Sequence, residues 1–243
     1  MPPGAIGPFQ QITEINGRIV ACTICPRLVE YRERVARTKR RMYREADYWG
    51  RPLPGFGDPQ ARLLLVGLAP AAHGGNRTGR MFTGDRSGDW LYGALHRFGF
   101  ANQPTSRHRD DGLSLRDAYV TAAIRCAPPA NKPLRDELLS CRPYLLAELG
   151  SLERLQVVVA LGRIAFDSYL AAYRVFLGAD AAPFPKPAFS HGGVQPLPGG
   201  VTLVSSYHPS QQNTQTGRLT TEMFHGVFAT VRSLLDGPND QPA

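Results

Sequence analysis

The chain has 243 residues, 42% hydrophobic and 20% charged, which is enough to bury a sizeable core as one domain. No run approaches the roughly 18 apolar residues of a membrane helix. The opening MPPGAIGPFQ lacks a basic-then-apolar leader, so a cytoplasmic location is expected. A net charge of +8 with a pI near 9.6, carried mainly by Arg, suits a polyanionic partner; an Arg-rich genome alone would give the same balance.

From about Phe9 to Val20, Ile12, Ile15 and Ile19 fall at helical spacing, and this helix leads into Cys22. Arg27–Arg44 then carries eight Arg or Lys against only Glu30 and Glu33, beside a narrow apolar face of Leu28, Tyr31 and Val35. The imbalance favours contact with a polyanion over a merely solvated face. Trp49–Pro59, rich in Gly and Pro, reads as loop.

Four apolar runs follow: Leu63–Leu68, Tyr119–Ile124, Gln156–Leu161 and Val201–Ser206. Helical spacing marks Asp89–Phe98, Arg135–Leu149, Ile164–Phe176 and Leu219–Leu235 between and after them. Strands alternating with helices predict an α/β protein, a mostly parallel sheet covered on both faces. Pro143 predicts a break or restart in the Arg135–Leu149 span. Gly178–Gly200 reads as a long surface loop, and the closing GPNDQPA as a frayed tail.

The stretch Leu63–Leu91, LLLVGLAPAAHGGNRTGRMFTGDRSGDWL, reads as strand, Gly-rich loop and the start of a helix. Such loops, at the carboxyl ends of parallel strands, face a common crevice. The fourth strand enters the same crevice through SSYHPSQQN, bringing His208. The second enters through IRCAPPANKP, bringing Asn131. With Phe82 and Asp85 from the first loop, these supply a ring, an amide, an imidazole and a carboxylate, which suits a planar heterocycle. Each has a plainer reading: turn residues for His208 and Asn131, core for Phe82 and a helix-start residue for Asp85. His96 and His225 fall in helical spans and read as structural.

All four cysteines form two pairs, Cys22 with Cys25 and Cys126 with Cys141. Four thiolates suit zinc or an iron–sulfur cluster, and spacing leaves that choice open. GLAPAAHGGNRTGRMFTGD, this cysteine arrangement and YHPS together resemble a family 5 (type b) uracil-DNA glycosylase of the uracil-DNA glycosylase superfamily. The likeness runs from Cys22 to the C-terminal helix.

That resemblance implies a three-layer α/β/α fold around a four-stranded parallel sheet, over residues 1–243. Residues 1–60 would be a cluster-binding and basic extension. It also implies a [4Fe–4S] cluster on Cys22, Cys25, Cys126 and Cys141. The activity implied is excision of uracil, and of other deaminated bases, from DNA. A monomer is expected, since nothing in the sequence suggests otherwise, in the cytoplasm of a bacterial or archaeal cell and associated with its nucleoid. Asp85, Asn131 and His208 would be catalytic; Gly67, Ala69, His73, Phe82 and Asn131 would hold the base. Arg77, Arg80, Ser210, Gln211 and Asn213 would contact DNA, with Gln212 beside them, while Gly74, Gly75 and Gly79 let backbone approach the substrate. Related families carry a polar or acidic residue where this chain has Leu68 and Ala69. Water activation therefore falls to a later residue, and Asp85 is the candidate.

Overall fold

The computed structural model describes residues 7–179 and 184–237, so most of the tail expected to fray lies outside them. Among the described residues six strands form one mixed sheet: β1 (Phe56–Gly57), β2 (Leu63–Gly67), β3 (Ala118–Ala122), β4 (Val157–Leu161), β5 (Val194–Pro196) and β6 (Thr202–Ser206). Their order is β1-β3-β2-β4-β6-β5. The four inner strands are the four predicted runs, and they pair in parallel, Leu63 beside Ala118 and Val157, and Val157 beside Thr202. The expected four-stranded sheet is thus widened to six by antiparallel edges. Those edges fall in stretches read as loop, where two- and three-residue strands leave no periodicity to see.

Each inner strand is fully buried or nearly so, which explains its unbroken apolar run. Alternate residues serve opposite faces. Leu63, Leu65, Val120, Val157, Val159 and Val204 pack under α4 (Arg86–Arg97) and α8 (Thr221–Asp236), meeting Leu91, Leu95, Phe224 and Phe228. Leu64, Val66, Tyr119, Val158 and Leu203 face α1 (Pro8–Val20), α5 (Arg135–Ser151) and α6 (Arg163–Leu177). Ile12, Ile15 and Ile19 belong to this second face, so α1 is built into a layer. Helix α2 (Pro26–Thr38) carries half of the basic run, Arg27, Arg32, Arg34 and Arg37. Two of its cations point inward, Arg27 onto Glu137 of α5 and Arg32 into the interior.

Pro143 does not break α5, which runs through it. The ring removes one hydrogen bond, to the Leu139 carbonyl, while Cys141, Leu145 and Leu149 hold the helix by burial on either side. No helix among the described residues is long and apolar enough to cross a membrane.

Candidate active site

Because β2, β3, β4 and β6 are parallel, their carboxyl ends share one edge of the sheet. Residue by residue, the loop after β2 builds a platform there. Phe82 sits at φ +51, a left-handed conformation costing a side chain about 1–2 kcal/mol. Several groups hold it. Tyr92 Oη donates to the Met81 carbonyl (2.8 Å), Thr78 Oγ1 to that of Thr83 (3.1 Å), and Arg77 Nη2 to that of Gly84 (2.9 Å). A Cβ on Gly88 would collide with the Phe82 carbonyl, which explains that glycine. The Phe82 ring lies against Gly67 at the end of β2, where a Cβ would sit 2.6 Å from it.

His208, after β6, stacks on this ring at 5.8 Å between centroids and 29° between planes. Its nitrogens have no hydrogen-bond partner among the described residues, and burial lowers its pKa to about 4, leaving a neutral imidazole at pH 7. Gly162, after β4, makes room for it: φ is +95, and a Cβ there would lie 3.3 Å from the His208 Cβ. Phe82, Gly67, Gly162 and His208 thus come together from three strand ends.

Asp85 caps α4, its Oδ1 accepting the Gly88 N–H at 3.1 Å, and its Oδ2 lies against the bare Cα of Gly74. Burial raises its pKa against the effect of that hydrogen bond. Asn131 ends a 3-10 turn, Pro129–Asn131, at φ +55 beside Ala130 at φ +52. Its side chain is exposed and has no hydrogen-bond partner among the described residues. Leu68 and Ala69 are half-buried and offer no polar side chain, and Ala69 packs against the cluster of Leu28, Ile124, Cys126 and Cys141.

The residues expected to touch DNA divide. Arg80 is buried, its Nη2 donating to both Asp111 carboxylate oxygens (2.9 and 2.8 Å) and to Ser106 Oγ, and its Nε to Thr83 Oγ1, so it cannot reach a phosphate. Arg77 is occupied with the Gly84 and His73 carbonyls and lies over Tyr43. Ser210 caps α7 (Gln211–Gln215), and Asn213 Nδ2 donates to the His208 carbonyl at 2.8 Å, so both shape the turn. Gln211 and Gln212 stay exposed. His73 is half-buried, with Nδ1 2.9 Å from Tyr48 Oη. His225 packs edge-on to Phe98 and His96 is exposed on α4, both away from these loops.

Cys22 follows α1, Cys25 starts α2, Cys126 follows β3 and Cys141 lies in α5. Cys126 and Cys141 form one buried patch with Leu28 and Ile124, and Cys25 packs against it. None of the four is in a disulfide; burial raises Cys25 and Cys126, and lifts Cys141 to about 12. Arg32 Nη1 donates to Cys126 Sγ at 3.0 Å and the Arg125 N–H to Cys141 Sγ at 3.4 Å. Among the described residues no three His, Cys, Asp or Glu side chains stand close enough to hold a single metal ion.

The family model of the Uracil DNA glycosylase superfamily matches residues 54–232, most of the chain and all of this crevice. The chain belongs to the uracil DNA glycosylase superfamily. A Type-5 uracil-DNA glycosylase of Mycobacterium leprae is 51% identical over 224 residues, 92% of this chain and 95% of that protein. One of Thermus thermophilus is 53% identical, over 89% of this chain and 94% of its own. One of Pyrobaculum aerophilum is 49% identical, over 87% and 88%.

In this superfamily member, His191 has a place that its sequence context did not announce. Its Nδ1 accepts the Tyr207 N–H at 3.2 Å, which puts the ring proton on Nε2, 3.2 Å from the Met223 carbonyl. The ring stacks on Tyr207 at 5.1 Å and so props the turn that carries His208. A lone His in a Gly- and Pro-rich stretch gives no periodic signal.

The double position of Asp85 is testable. Asp85→Ala should cost about 1 kcal/mol of stability as a lost cap. Asp85→Asn keeps the cap and removes the charge. Thermal melting and single-turnover excision on both variants separate the roles: a normal rate in Asp85→Asn would remove the carboxylate from the chemistry.

Proposed function

We propose that this chain is a uracil-DNA glycosylase that hydrolyses the N-glycosidic bond of uracil, and of other deaminated bases, flipped out of DNA. The observation that carries it is the Phe82–His208 pair at adjoining strand ends, with an imidazole whose nitrogens are unengaged. Family membership and Type-5 relatives over nearly the whole chain support it.

Unstacking the target nucleotide costs a few kcal/mol, least for a mispaired base. Phe82 offers its face to the base, Gly67 and Ala69 line its path, and Asn131 is the candidate for its Watson–Crick edge. The gap between Phe82 and His208 is narrower than the ~7 Å that a sandwiched ring needs, so the base meets Phe82 beside the imidazole. As the bond between N1 and C1′ breaks, the electron pair leaves with the base, and neutral His208 donates an N–H to that developing anion. Water adds to the sugar cation and releases a proton, with Asp85 orienting the water or offsetting the charge. The products are the free base and an abasic site.

The four cysteines fit a [4Fe–4S] cluster better than a single ion. In a cluster each thiolate binds its own iron, so the sulfurs need not converge on one point, and N–H donors to sulfur suit such centres. Its role here is structural, tying α2 to β3 and α5. We take the chain as a monomeric single domain.

Purified protein should be brown, contain iron and convert a uracil-containing oligonucleotide to an alkali-labile abasic product. A colourless, iron-free protein would refute the cluster; absence of excision by well-folded protein would refute the activity.

A further inference from the structure

Beside the substrate loop, and outside the residues assigned above, Trp49 carries two arginines. The Arg109 guanidinium lies 4.5 Å and that of Arg51 5.7 Å from its ring centroid. The ring is fixed to the loop. The Trp49 N–H donates to the Arg77 carbonyl (3.0 Å), the Gly50 N–H to the Asn76 carbonyl (3.1 Å) and Trp49 Nε1 to the Pro52 carbonyl (3.1 Å). Asn76 and Arg77 belong to the short helix α3 (Gly75–Thr78) inside that loop. Arg109 is anchored to the same helix, its N–H donating to the Thr78 carbonyl at 3.3 Å.

Gly79 explains the close fit. Its φ is +82, and a Cβ there would lie 3.0 Å from Arg109 Cδ and 3.3 Å from the Trp49 ring. The segment bearing Arg109 is also rigid. Asp111 accepts from the N–H groups of Arg107, His108 and Leu113, and from the buried Nη2 of Arg80. Arg80, barred from DNA by its own burial, therefore holds another arginine in place.

The charge of this group is poorly balanced. Among the described residues the one carboxylate paired with either guanidinium is Asp110, 3.3 Å from Arg109 Nε and largely in water. Arg51 is exposed and has none. Two guanidiniums held against one indole ring gain from it, and a single carboxylate in water leaves most of their charge open to an anion. Guanidinium forks match the paired oxygens of a phosphodiester.

We propose that Arg51, Trp49 and Arg109 form a binding site for a backbone phosphate of the DNA substrate. The inference rests on the DNA reading above but not on excision itself. It predicts no contact with the base, so the site adds affinity without sequence information.

The test measures binding of full-length protein to a labelled, uracil-free duplex between about 50 and 200 mM salt, by fluorescence anisotropy. Arg51→Gln and Arg109→Gln should each weaken binding and reduce the slope of log K against log salt by about 1. Single-turnover uracil excision at saturating enzyme should change less than about twofold. Arg174→Gln, on α6, should keep the parental slope. Unchanged slopes in both site variants, or an equal reduction in Arg174→Gln, would overturn the site. If Arg109→Gln melts early, the Arg51→Gln slope alone decides, because the Arg51 guanidinium makes no hydrogen bond among the described residues.

Inorganic phosphate at millimolar concentration separates a backbone site from one for the free anion. Displacement of the duplex from the parent but not from the variants, at constant ionic strength, would mean free phosphate and overturn the DNA assignment. Slopes that fall in a protein that fails to excise uracil would leave this site standing and remove the glycosylase reading. Unchanged slopes in an active enzyme would do the reverse.

Discussion

His208→Ala should slow single-turnover release of uracil by about 100- to 1,000-fold while leaving affinity for uracil-containing DNA within about threefold. The imidazole is desolvated, stacked on Phe82 and has no hydrogen-bond partner at either nitrogen among the described residues, so its hydrogen-bonding capacity is free for the substrate. A donor aimed at charge that exists only in the transition state acts on the rate and not on ground-state binding. With a pKa of about 4 the ring is neutral through the physiological range. The rate should therefore show no decline through about pH 6.5, where an ordinary His would lose the charge an imidazolium mechanism needs. Below about pH 6.5 the unfolded chain takes up a proton that the folded one refuses until about pH 4, so this group lowers stability as pH falls through that window. Equal losses of rate and affinity in His208→Ala, or a rate tracking protonation near pH 6.5, would reduce His208 to a positioning residue.

Glu148→Ala should lower the melting temperature by roughly 6–20 °C. Arg125 and Glu148 are a fully buried pair, 2.5 Å from Nη2 to Oε2, with Thr121 Oγ1 donating to the same oxygen at 2.7 Å. Removing one partner leaves a cation in the interior, at a cost of about 3–5 kcal/mol, and for a chain of this size each kcal/mol is worth about 2–4 °C. The double variant Arg125→Met with Glu148→Met should recover most of the loss, since no charge then stays buried. Thermal melts of both settle it: a double variant as unstable as Glu148→Ala would mean that the cost lies in lost packing. Because the Arg125 N–H also donates to Cys141 Sγ, iron content read in the same samples shows whether this pair steadies the cysteine patch.

The inner strands were legible because burial on both faces demands an uninterrupted apolar run, as in LLLVG and VVVAL. The edge strands were not, since Phe56–Gly57 and Val194–Pro196 are too short to show alternation. His208 could be placed from a His-Pro-Ser turn closing a strand, and Phe82 from its position late in the first loop. Arg80 could not, because a buried arginine looks in sequence like any exposed one until its carboxylate, Asp111, is found thirty-one residues on. Ser210 and Asn213 were misleading for a related reason. Short polar side chains beside a helix start bond readily to local backbone, and here they fix the His208 turn. Asp85 satisfies a local rule by capping α4, which its sequence position allowed from the outset.

The brevity of β1 and β5 has a consequence for the life of the folded chain in a crowded solution. An open sheet ends in unpaired backbone groups that another chain can extend, and a long flat edge invites edge-to-edge aggregation. Here the outermost strands are two and three residues long and run against their neighbours, and β5 closes on Pro196, which has no N–H to donate. The apolar strands β2 and β4, whose sequences would be the most adhesive if exposed, lie in the middle of the order. A sheet arranged this way presents almost no ladder to a neighbour, so the folded protein should remain dispersed at concentrations where an edge built of LLLVG would nucleate fibres.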